Sequence, residues 1–170
     1  MGTRAEEGKL RTIKREIETN SATIEKIVDQ LVGKYNEDLD KCIDEARELL
    51  DTKDKLTDYE IENITLRVPV YMYYGVHGVE TLGIQLDNAK AIKTTKYNEY
   101  YMDAQGTIGD KTAEAENLVI PEHLMVVCYE RAYKKLKAKV DVATQICQAT
   151  RKVLTKRIAE IDVSKNDRNA

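Results

Sequence analysis

The chain has no phenylalanine and no tryptophan, and only two prolines and eight glycines in 170 residues. So few breakers, with 34% charged residues, argue against a β fold of many tight turns. They favour long helices that pack through narrow apolar stripes. No apolar run approaches the length of about 20 residues that a membrane-spanning helix needs. The three cysteines, Cys42, Cys128 and Cys147, stand alone without a C-x-x-C pair. Buried thiols in a reducing compartment are expected, not a disulfide framework. His77 and His123 are equally isolated, so no metal-ligand spacing is present and neither a metal nor a cofactor is expected. The opening residues Met1–Glu7 are charged and hold no apolar signal segment. Glu6 stands where a myristoylation motif needs Ser or Thr. A soluble, cytoplasmic protein is expected.

What is present is equally uneven. Ten tyrosines supply all the aromatic content, and hydrophobic residues reach 42%, too many for a disordered chain. Residues 1–56 carry a net charge of −3, residues 57–120 carry −5, and residues 121–170 carry +5. The positive charge is concentrated further: between Arg131 and Arg157, nine lysines and arginines face the single acid Asp141. Such a local reversal marks a surface for phosphates or for an acidic partner.

The periodicities predict an all-α fold. Leu10, Ile13, Ile17, Asn20, Ile24, Ile27 and Leu31 alternate three- and four-residue steps, continued loosely by Tyr35, Leu39, Cys42, Ala46 and Leu49. This is a coiled-coil-like stripe. It serves either an amphipathic helix on its own domain or a helix that self-associates, with Asn20 fixing register. Gly33 allows one bent helix or two. Thr57-Asp58-Tyr59-Glu60 is a capping box that starts the next helix. Pro69 predicts a kink or short break near residues 66–69. Gly75, Gly78 and Gly83 suggest that another backbone approaches there. Gly106–Gly109 ends this helix, and Asp110 is the expected N-cap of a short helix over 111–117. Pro121 sits in the first turn of the last helix, which should stop by residues 161–163. Three parts follow: an N-terminal coiled-coil-like segment 1–56, an antiparallel helical hairpin 57–163 in a coiled-coil-like bundle, and a polar tail 164–170.

Arg131, Lys134, Lys135, Lys137, Lys139, Arg151, Lys152 and Lys156 fall on the flanks and back of the last helix. Its apolar stripe, including Tyr133, Leu136, Val140, Ala143, Cys147, Leu154 and Ile158, is the expected oligomerisation seam. With one local acid, i,i+4 pairs cannot relieve the repulsion. Relief must come from acidic segments of the chain, from a partner, or from nucleic-acid phosphates. Lys90, Lys93 and Lys96 form a ridge beside Tyr97, Tyr100 and Tyr101, which either stack on unpaired bases or pack in a core or interface. Tyr71, Tyr73 and Tyr74 read as packing residues. Gly106–Thr112 lacks both the spacing and the preceding strand of a phosphate loop, and a KH-type G-x-x-G loop would need a sheet. No catalytic constellation is evident, and the chain reads as a non-enzyme.

Ala89-Lys90-Ala91, Lys96-Tyr97-Asn98-Glu99-Tyr100-Tyr101, the segment 106–115 and the basic helix 133–161 together carry a resemblance. The region of about 66–163 resembles the UvsY-type recombination mediators of tailed phages. That resemblance implies single-stranded DNA binding by Lys96 and its neighbours, assembly into homo-oligomeric rings, contact with a recombinase, and a place in the host cytoplasm. The family often has an arginine just before its tyrosine pair, where this chain has Tyr97 and Asn98, and residues 1–56 lie outside the resemblance. The expected function is therefore an oligomeric helical protein that binds single-stranded nucleic acid and loads a recombinase. The alternative is a non-enzymatic phage assembly or host-takeover protein whose basic helix docks on an acidic protein surface.

Overall fold

The Thr57 capping box forms as the sequence predicts. Glu60 N–H donates to the Thr57 hydroxyl (3.3 Å), and Thr57 N–H donates back to the Glu60 carboxylate (2.8 Å). In the computed structural model, which describes residues 4–52 and 55–168, with side chains for 11–49, 51–52 and 55–161, this box opens the second of four helices. They are α1 (Arg4–Thr52), α2 (Asp58–Asp103), α3 (Ile108–Leu118) and α4 (Ile120–Arg168). The fold is all-α, with no strand among the described residues.

Several boundaries differ from expectation. α1 continues through Gly33 as one helix. α2 continues through Pro69 without a break. Proline removes the donor that Thr65 C=O would accept from, at a cost of about 3 kcal/mol. Burial of Ile64 and Val68 before it, and packing of Tyr71 and Met72 after it, hold the segment helical. The N-cap of α3 is Thr107, not Asp110. Thr107 Oγ accepts from Asp110 N–H, and the Asp110 carboxylate accepts from Thr107 N–H at 3.0 Å. Gly106, with φ +109°, makes the preceding turn in the left-handed region that favours glycine. The last helix runs on to Arg168, past the expected stop at 161–163. Residues 169–170 of the expected tail lie outside the described residues.

The chain divides into two compact units that do not follow chain order: Met1–Val32 with Leu82–Tyr133, and Gly33–Thr81 with Lys134–Ala170. In the second unit, segments of α1, α2 and α4 close around Leu39, Cys42, Ala46, Ile64, Val68, Ala143 and Cys147. The register is antiparallel. Gly75 lies against Val140, Gly78 against Leu136, and the Thr144 hydroxyl reaches Met72 Sδ. α1 also runs antiparallel to α2, since Tyr35 meets Gly78, Leu39 meets Gly75, and Glu45 meets Arg67. A Cβ on Gly78 would lie 2.5 Å from Tyr35 Cβ and 2.8 Å from Leu136 Cδ2. The close neighbours are therefore side chains, not the backbone expected.

In the first unit, Val28, Val32, Leu82, Leu86, Ala115, Val119, Val126, Cys128 and Ala132 are buried. Here the buried face of α1 uses Val28 and Val32, leaving the predicted Ile24, Ile27 and Leu31 half-buried. Val119 alone joins α3 to α4: its N–H donates to Ala115 C=O, and its own C=O accepts from His123 N–H. All three cysteines are buried free thiols, and burial raises each thiol pKa above its ordinary value.

Candidate nucleic-acid interface

Between residues 131 and 157 the cations of α4 fall into two clusters, 131–139 and 151–157, with no basic residue between them. At 1.5 Å rise per residue, the gap from Lys139 to Arg151 is about 18 Å. Lys134 and Lys152 are eighteen residues apart, five full turns at 3.6 residues each, so they share a face. The structure assigns these cations different work.

Two of them hold the second unit together. Lys139, half-buried, pairs with Asp40, which also accepts from the Asn36 amide. Arg157 pairs with Asp58, and its other terminal nitrogen donates to Leu56 C=O at 2.8 Å. Asp58 opens α2, so Arg157 ties the end of the basic block to the start of that helix. The Arg157 side chain is only 22% exposed, which leaves little of it for a ligand.

The other cations of the two clusters are solvent-facing. Lys134, Lys135 and Lys137 are exposed. Arg151 and Lys152 are exposed and make no ion pair among the described residues. Lys156 has one exposed neighbour, Glu160, at 3.8 Å. An exposed pair at that distance is worth well under about 1 kcal/mol, so a phosphate could displace the acid.

Arg131 and the lysine–tyrosine ridge of α2 belong to the first unit. Arg131 is exposed. Lys90 stands 3.8 Å from Asp87, and Lys96 is hydrogen-bonded to Glu99 at 2.7 Å. That hydrogen bond, then the Glu99 charge, raises the Lys96 pKa. Two of the three ridge lysines therefore carry local counter-charges, while Lys93 is half-buried. Tyr97 and Tyr101 stack on each other with ring centroids 6.3 Å apart and planes at 22°. With Tyr100 they are half-buried.

The expected oligomerisation seam lies inside the protomer. Leu136, Ala143 and Cys147 are buried, Val140 packs beside Gly75, and Leu154 is half-buried. Tyr133, in the first unit, lies beside Gly83. Of that set only Ile158 is exposed. Of Tyr71, Tyr73 and Tyr74, all expected as packing residues, the structure buries only the first in part. Tyr71 packs on the core, where Arg67 stacks over its ring, but Tyr73 and Tyr74 are 73% and 60% exposed. Leu66 and Val70 share their face of α2. Phasing the helix on Ile64 and Val68 would have placed these four residues outward.

Gly106–Thr112 serves as the turn and capping box of α3. His77 and His123 are exposed, and among the described residues no three His, Cys, Asp or Glu side chains converge to hold a metal. A cleft of about 290 Å³ in the first unit is lined by Gln85, Asn88, Ile92, Glu122, Met125 and Tyr129. No helix among the described residues is long and apolar enough to cross a membrane.

Fold and surface together define a class: an all-α protein of long packed helices with a partly exposed basic helix. Neither a protein-family model, nor a curated protein, nor a solved structure matches this chain.

Proposed function

We propose that the protein is a non-enzymatic helical oligomer that binds single-stranded nucleic acid through the solvent-facing cations of α4. One observation carries this reading. Lys134, Lys135, Lys137, Arg151, Lys152 and Lys156 are all exposed on one helix, where Lys139 and Arg157 are less so. Two exposed clusters about 21 Å apart, from Lys137 to Arg151 by helical rise, suit an extended polyanion better than a compact one. Tyr97, Tyr100 and Tyr101 would contribute base stacking only at their exposed edges. The UvsY-type resemblance makes a recombination mediator of a tailed phage the specific form of this proposal, acting on single-stranded DNA in the host cytoplasm.

The internal pairs favour a second reading. Lys139–Asp40 and Arg157–Asp58 show that this basic helix already meets acidic protein surface. An assembly protein that docks α4 on an acidic partner would make contacts of the same kind with its exposed cations. Fluorescence anisotropy with a labelled single-stranded oligonucleotide at several salt concentrations separates the two. The first reading predicts binding at low salt that weakens as salt rises. Absence of binding at low salt would leave the assembly reading.

A further inference from the structure

Every residue from 11 to 23 of α1 is exposed, so no other element among the described residues covers this stretch. At 1.5 Å per residue it is about 20 Å of helix. It extends from the packed part of α1. Yet the stretch keeps the strict three–four repeat of the sequence, with Ile13 51% and Ile17 59% exposed, Asn20 next, and Ile24 continuing it. Its polar face is locally satisfied. Thr19 and Thr23 donate to the carbonyls of Arg15 and Thr19, and Lys14 stands 3.8 Å from Glu18. What remains open is a seam of isoleucines interrupted by one amide.

That amide identifies the occupant. In a parallel, in-register pair, Asn20 would face Asn20 of the other copy. Each side-chain amide is both donor and acceptor, so two of them satisfy each other. In an antiparallel pairing of the same seam, Asn20 falls opposite Ile17 and would be buried without a partner. The flanks carry both signs, Arg11, Lys14 and Arg15 with Glu16 and Glu18, so like chains can approach without a large repulsive field. We infer that residues 11–23 of α1 pair with the same segment of another copy, parallel and in register, with Asn20 against Asn20. The inference rests on the oligomeric part of the proposed function and not on nucleic-acid binding.

The test uses the full chain without nucleic acid. Ile17→Cys places a thiol on the seam, while the three native thiols are buried and cannot compete. Mild oxidation should convert this variant almost completely to a covalent dimer that reducing agent dissolves; the parent chain should form none. No cross-link would overturn the inference, because a parallel, in-register seam brings position 17 to itself. In parallel, Ile13→Asp with Ile17→Asp should weaken self-association by about 100-fold or more in sedimentation experiments. Helix content should be unchanged, since neither side chain touches the folded core. Unaltered mass for this double variant, or a parent chain that is monomeric at all concentrations, would also overturn it. A chain that cross-links in this way but fails to bind a labelled oligonucleotide at low salt, measured separately, would instead count against the nucleic-acid reading alone.

Discussion

Replacing Gly78 by alanine sets helix propensity against packing, and the structure says which wins. Alanine is favoured over glycine in a helix interior by about 1 kcal/mol. At position 78, however, the new methyl would sit 2.5 Å from Tyr35 Cβ and 2.8 Å from Leu136 Cδ2. Tyr35 Cβ is anchored directly to the α1 main chain, and Leu136 has no exposed surface, so neither can swing aside. Relief requires α1 or α4 to shift, which puts the overpacking cost near the upper end of the usual range, about 3 kcal/mol. The net loss is then about 2 kcal/mol, or roughly 4–8 °C in Tm for a chain of this size. Gly33 is the internal control: it lies in α1 with no atom within 4 Å of its would-be Cβ. Alanine there should gain about 0.5–1 kcal/mol. Thermal and urea unfolding followed by far-ultraviolet circular dichroism would measure both. A Gly78→Ala protein as stable as the parent, or a Gly33→Ala protein that is less stable, would refute the reasoning.

Arg157→Met should destabilise by about 1–2 kcal/mol in urea unfolding, because it leaves both Asp58 and Leu56 C=O without their partner; Asp58→Asn added to it should cost little more. Thr107→Ala should cost about 1 kcal/mol by removing the α3 cap, seen as faster amide exchange at Asp110. Bonds from the Thr107 hydroxyl and backbone N–H hold the Asp110 pKa below its ordinary 3.8. The stabilisation this gives is complete above that ordinary value and is lost as pH falls through the lowered folded one, so α3 exchange should accelerate at acid pH. Cys42, Cys128 and Cys147 should resist an aromatic disulfide reagent in the native protein and react fully in denaturant, because all are buried and burial raises their pKa.

Local chemistry was readable in the sequence and tertiary choices were not. The Thr57 box is a four-residue signal and formed as read. At α3, Asp110 looked like a cap because it follows glycine, yet a better hydroxyl cap stood three residues earlier and made Asp110 its reciprocal partner. Pro69 lacks a donor in any context, but the burial that overrides this cost comes from α1 and α4, distant in sequence. Along α1, Ile24, Ile27 and Leu31 compete with Val28 and Val32 for the core, and periodicity cannot choose between two apolar faces. The α4 charge block was plain, but its division was not. Lys139–Asp40 and Arg157–Asp58 each join residues 99 positions apart, beyond any i,i+4 rule.

The proposed function places single-stranded nucleic acid on the exposed cations of α4. It is tested most directly by the salt dependence of oligonucleotide affinity for the parent chain and for Arg151→Ala with Lys152→Ala. Each lost phosphate contact on a single strand should lower the slope of log affinity against log salt by about 0.7. The double variant should therefore bind more weakly with a slope about 1.4 smaller, at unchanged thermal stability. An unchanged slope, or a parent chain that does not bind at low salt, would contradict the account.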